Sequence, residues 1–276
     1  MPIWLYQVHP LITAMSLIVF IETLSLVGLL LTRRIVLPRL NYNERINEAV
    51  SGTVQAIGVF YGITVGLIAV GVWNTNSLSS DLVSKEAAAI GALYRDTASY
   101  PSPLREELRK DLREYTVLII NEAWPGQKMG VMVTRGTAII DDFQAKLFAY
   151  QPADEGQKAL HTEALQAYNT VIENRHLRID AVNKGLSSTM WAVIWIGAVI
   201  SIGVAYFFHV EDARIHAILI ALMAGFLAVV IFMIIVNDRP FYGHVSISPE
   251  PYQLILDRVI DKSNNPSPCP VPTCQN

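Results

Sequence analysis

One carboxylate, Glu22, stands near the middle of an otherwise uncharged apolar run, residues 11–31 (LITAMSLIVFIETLSLVGLLL). A charge at that depth in a bilayer costs about 2.5–3.5 kcal/mol on insertion scales, so the side chain should face protein or water. Two roles fit it. It could line an ion path and gate it by protonation, or it could be a structural carboxylate bonded to Gln55 or Tyr61 on a neighbouring helix. Gln55 opens a second constellation, because Gly58, Gly62 and Gly66 follow it at intervals of four. On a helix these glycines share one stripe, and the missing side chains let another helix come close. That stripe is either a candidate pore constriction built from several copies or a close-packing face within one subunit. A third constellation is Asp238, Pro240, Phe241 and Gly243 in the stretch NDRPFYGHV. Pro240 stops a helix and Gly243 permits a tight reversal, so the segment is a gate element or a corner.

Other chemistry finds little support. His161, His176, His209, His216 and His244 lack metal-ligand spacing, and Glu173 with His176 forms only one half of a carboxylate di-metal pattern. No nucleophile elbow, phosphate-binding loop or zinc-protease motif is present, so no enzyme, cofactor or metal is expected. Cys269 and Cys274 lie in the Pro- and Asn-rich last stretch (NNPSPCPVPTCQN), where they could close a small disulfide in an oxidising compartment or be incidental. Residues 263–276 are expected to be disordered.

The elements that must carry these residues are helices in a membrane. The chain has 276 residues, is 52% hydrophobic and only 16% charged, against about 25% charged in ordinary soluble domains. Net charge is −3, which argues against a nucleic-acid surface. Spans are expected at 11–31, 50–73, 189–208 and 217–236, so residues 1–73 hold spans one and two and 189–236 hold spans three and four. Residues 32–49 form a polar loop broken by Pro38. Residues 74–188 are water-compatible with apolar positions three and four apart, which predicts an extramembrane helical bundle. Its helices are expected at 77–98, 104–124 (ended by Pro125-Gly126), 133–150 and 156–187. The last carries a row of Leu165, Tyr168, Ile172, Arg175, Ile179, Val182 and Leu186, and the first a row of Val83, Glu86, Ile90, Leu93 and Thr97. Antiparallel pairing of these rows would bring Glu86 and Arg175 together as an ion pair inside the bundle. Residues 237–262 form a folded C-terminal segment. The fold class is therefore all-α: a four-span helical membrane protein with a helical bundle inserted between spans two and three.

Arg33, Arg34, Arg39 and Arg45 crowd the loop after span one, while residues 1–10 carry no Lys or Arg. The positive-inside rule then puts the N-terminus and the bundle outside, on the periplasmic face of a bacterial inner membrane. Arg175, Arg178, Lys184 and Arg239 oppose this assignment.

Four stretches taken in order carry a family resemblance. NYNERINEAVSGTVQAIGVFYGITVGLIAVGVW is similar to a glycine-rich signature ending in Trp. SKEAAAIGALYRD resembles an "EA…LYR" helix, and ENRHLRIDAVNKGLSSTMW resembles a basic lead into span three. NDRPFYGHVSISPEPYQLIL resembles a "D-x-PF-x-G" segment after span four. Together they resemble the bacterial bestrophin-like membrane proteins. The proline often found before the Trp of span three is absent, Ser187-Ser188-Thr189-Met190 standing there. Bestrophins proper are pentameric anion channels with four membrane helices. The resemblance implies a homo-oligomer in the lipid bilayer that conducts ions, inorganic anions above all, through a pore lined by span two. It does not imply calcium gating, because Tyr242-Gly243-His244-Val245 replace the acidic calcium-binding run. It also implies cytosolic termini, against the charge reading. The alternative is a non-conducting sensor or scaffold whose bundle binds a partner.

Overall fold

Helices account for every regular element, and no strand occurs among the described residues. The structure, a computed structural model, describes residues 4–39 and 44–262. Cys269, Cys274 and the expected disordered tail lie outside them. The helices are α1 (Trp4–Gln7), α2 (Pro10–Leu31), α3 (Glu44–Asp96), α4 (Leu104–Leu118), α5 (Trp124–Lys128), α6 (Arg135–Ala149), α7 (Glu155–Asn183), α8 (Ser188–Ala205), α9 (Ala213–Asp238) and α10 (Glu250–Ile255). Among the described residues four helices are long and apolar enough to cross a membrane. Their apolar stretches lie in α2, α3, α8 and α9.

Several boundaries differ from expectation, each for a local reason. The polar loop expected at 32–49 begins as helix: a π-turn, Thr32–Val36, and a 3₁₀-turn, Leu37–Arg39, extend α2 because no breaker precedes Pro38. The second span and the first bundle helix are one continuous helix of 53 residues, α3, about 80 Å long at 1.5 Å per residue. Polar residues at 74–77 do not stop it, since none is Pro or Gly and Thr75 bonds back to the Gly71 carbonyl. Pro125-Gly126 does not end the second bundle helix either. A π-turn, Ile119–Ala123, intervenes, and Pro125 then falls in the first turn of α5, where its missing N–H is not needed. Conversely, α7 does not run on into the membrane. It stops at Asn183, and Ser187 caps α8 by accepting from the Met190 N–H.

The chain divides into two compact units. The membrane unit comprises Met1–Ser77 and Lys184–Val245. Within it α2 packs chiefly on α9, and α8 also contacts α9. Ala224 and Ala228 are completely buried, and their small size lets helices approach. Leu29, Ala205 and Ile220 form a buried cluster with Tyr206, Ala217 and Met223 against it. The outer surface is apolar, with Phe20, Phe60, Leu67, Leu222 and Phe226 all more than 60% exposed, as lipid contact requires. At one end of the unit, Arg33 donates to the Val210 carbonyl (3.2 Å) and to Nδ1 of buried His216, whose Nε2 donates to the Ala205 carbonyl.

The second unit comprises Leu78–Asn183 and Ser246–Asn276. Its core includes Ile90, Leu93, Leu108, Leu112, Phe143, Leu147 and Val171, all completely buried. Phe143 stacks on Tyr168 with ring centroids 5.7 Å apart. The C-terminal segment closes over this core: the Trp124 indole donates to the Ile247 carbonyl, and the Tyr94 hydroxyl to that of Ile260.

Candidate functional site

In the membrane unit α3 presents two different faces. Tyr61, Val65, Ala69 and Val72 are buried, a row at helical spacing that packs into the subunit. Tyr61 donates to the Ile194 carbonyl of α8 at 2.8 Å. The close approach that makes this bond possible comes from Gly197 on α8, where an added Cβ would overlap the Tyr61 ring. The glycines of α3 do not supply it. Gly52, Gly58, Gly62, Gly66 and Gly71 are exposed, and a Cβ at any of them would meet no neighbour within 4 Å among the described residues. The expected alternative of close packing within one subunit thus belongs to Gly197, because the bulky Tyr61 row faces inward and turns the glycine row aside. Gln55 is also exposed and bonds only one turn back, to Ser51 (3.3 Å). Thr53 and Thr64 likewise bond back to their own helix.

Glu22 lies on a different part of this unit. Its cleft, about 320 Å³, is lined from α9 by Ile218, Ala221, Leu222, Gly225 and Phe226. Neither structural partner expected for it is available: Gln55 bonds Ser51 and Tyr61 bonds Ile194. Among the described residues Glu22 has no hydrogen-bond or ion-pair partner.

Asp238 ends α9 as a buried acceptor. The Tyr6 hydroxyl donates to it at 3.0 Å, and so does the Leu186 N–H. Burial, then the neighbouring Asp238 charge, pushes the Tyr6 phenol well above its usual range, so it stays a donor. Arg239 lies over the Tyr242 ring (5.4 Å) and beside Gly185. Pro240 and Phe241 are buried. Gly243 has φ +73°, and a Cβ there would overlap the Tyr6 carbonyl. The geometry is a corner that ties residues 4–8 and 184–187 to the end of α9.

In the second unit Glu86 is completely buried and collects four donors. Arg178 donates through Nε to Oε2 and through Nη2 to Oε1 (3.3 Å). Tyr115 donates to Oε1 (2.9 Å) and Tyr252 to Oε2 (3.0 Å). The Arg178 guanidinium lies 5.9 Å from the Trp124 ring centre. Burial and then the Glu86 charge raise both phenols well above their ordinary range. The ion pair expected between Glu86 and Arg175 is therefore corrected to Glu86 and Arg178; Arg175 instead donates to the Thr137 hydroxyl at 2.8 Å. The cause is helical phase. The buried row of α7 is Ala164, Tyr168, Val171, Arg175, Arg178, Ala181 and Val182, while Leu165, Ile172 and Ile179 are only half-buried. Bulk draws Leu165, Ile172 and Ile179 into the expected row in place of their buried neighbours Ala164, Val171 and Arg178, while Tyr168, Arg175 and Val182 belong to both. Arg178, Tyr115, Tyr252 and Tyr6 carry no local signal, because their partners are distant in sequence. Among the described residues no group of His, Cys, Asp and Glu could hold a metal.

The family model for the bestrophin-like domain matches residues 19–252. The chain belongs to the bestrophin-like family. With four membrane-length apolar helices, it is a multi-pass membrane protein of that family. No curated protein and no solved structure gives a match. In this bestrophin-like chain the matched region includes the open glycine face, residues 184–187 and 238–243 of the Asp238 corner but not Tyr6, and the whole Glu86 cluster through Tyr252.

Proposed function

We propose that this bestrophin-like protein is a homo-oligomeric ion channel of a bacterial inner membrane, with several copies of α3 surrounding an axial path. The observation that carries the reading is the open face of α3. Gly58, Gly62 and Gly66 lie on a membrane helix where a Cβ would meet no neighbour within 4 Å among the described residues, and exposed Gln55 beside them bonds only Ser51 of the same helix. An exposed amide in lipid is costly, and small residues suit close helix–helix contact; sister copies of α3 would answer both. Inorganic anions are the proposed permeant species on family likeness alone, since residues 50–73 contain no Lys or Arg. Polar rings and hydrophobic constrictions would control passage. We assign the N-terminus and the bundle to the periplasmic side from Arg33, Arg34, Arg39 and Arg45. No enzymatic step, cofactor or nucleic-acid partner enters this reading.

The test is chloride flux into liposomes carrying the purified full-length protein, with Gly62→Leu and Gln55→Leu as variants. Flux that both variants alter at unchanged protein content supports the channel. Wild-type protein without flux, found as a monomer or dimer, would favour the non-conducting sensor or scaffold.

A further inference from the structure

We infer that the cleft between α2 and α9 is a binding site for a lipophilic organic cation, with Glu22 as its counter-charge. Glu22 stands at the thirteenth position of the 22-residue helix α2, close to mid-membrane, and no partner meets its carboxylate among the described residues. The wall opposite offers no donor, being Ile218, Ala221, Leu222, Gly225 and Phe226. The carboxylate turns toward α9: an added Cβ at Gly225 would lie 2.8 Å from Glu22 Oε1.

The protein's own spans bring no cation to this carboxylate. Residues 10–31, 50–73, 188–205 and 215–237 contain no Lys or Arg. A second copy of the chain therefore has no membrane-depth cation to offer either. A hard metal ion fits poorly, since calcium takes six to eight oxygen ligands and this wall supplies none. A delocalised organic cation fits better. It keeps its apolar shell against Ile218 and Leu222, places its charge near Glu22, and meets the face of Phe226, which is 69% exposed. The cleft volume, about 320 Å³, is at the small end of ligand pockets. This inference does not rest on the channel reading, since no residue of α3 lines the cleft.

The test is equilibrium binding of tetraphenylphosphonium to the full chain in phosphatidylcholine nanodiscs, which carry no net lipid charge. Saturable binding is expected, weakened about tenfold or more by the near-isosteric Glu22→Gln and by a few-fold in Phe226→Leu. Thermal melting of each variant checks that the fold persists. Equal binding by wild type and Glu22→Gln overturns the inference. So does no saturable binding to wild type.

Discussion

Replacing Arg178 by Met should damage the second unit far more than replacing Arg175 by Met. Among the described residues Arg178 is the only cation bonded to Glu86, a carboxylate that is completely buried. Removing it leaves Glu86 with two phenol donors and no counter-charge, a change that typically costs about 3–5 kcal/mol. Met retains much of the stem that packs near Trp124, so the loss reports charge rather than volume. Arg175 gives up one hydrogen bond, to Thr137, worth about 1 kcal/mol. Thermal unfolding of the full chain in detergent, followed by near-ultraviolet circular dichroism, should show a fall of roughly 10–20 °C for Arg178→Met. Arg175→Met should fall by only a few degrees. Glu86→Leu leaves the guanidinium buried instead and should cost as much as Arg178→Met. The double variant Glu86→Leu/Arg178→Met should lose much less than the sum, with a coupling energy of about 2–3 kcal/mol. Equal losses for Arg175 and Arg178, or coupling under about 0.5 kcal/mol, would refute the assignment.

Alkaline pH should destabilise the same unit. Tyr115 and Tyr252 have raised folded-state values from burial and Glu86, so their contribution is complete below the unfolded phenol value of about 10 and declines as pH rises beyond it, which melting at pH 8 and pH 10.5 will register. Gly243→Ala should lower the stability of the membrane unit by about 2 kcal/mol or more, because φ is +73° and the new methyl meets the Tyr6 carbonyl; differential scanning fluorimetry measures it. Gly197→Ala should cost about 1–3 kcal/mol by forcing Tyr61 away from α8, whereas Gly62→Ala, which meets nothing within 4 Å among the described residues of its own subunit, should leave monomer stability within about 0.5 kcal/mol.

The four spans are legible in the sequence because a charge-free apolar run of about 20 residues fits little besides a bilayer-crossing helix. The bundle helices are legible from apolar spacing and prolines. What stays hidden depends on direction and distance. The glycine row of α3 is visible in the sequence, but which way it faces turns on Tyr61 finding Gly197 in α8, more than a hundred positions away. Spacing favours Arg175 over Arg178 only when side-chain bulk sets the row; Ala164 and Ala181 mark the buried face of α7 as surely as leucine would, and a reading weighted by bulk discounts them. Pro125 looks like a terminator because a π-turn that resets the helix just before it has no signature in residue type. Asp238 stands out beside Pro240, but its donor Tyr6 precedes it by 232 residues, and no local pattern links them.

In the proposed channel the open face of α3 meets sister copies around an axis. Cysteines placed singly at positions 58, 62 and 66 of the full-length protein in membranes, with Cys269 and Cys274 replaced by Ser, are followed by oxidative crosslinking. Covalent dimers are expected at these positions and none from a cysteine at 222 on the lipid-facing side of α9. Monomers at all three α3 positions, with the membrane protein intact, would contradict it.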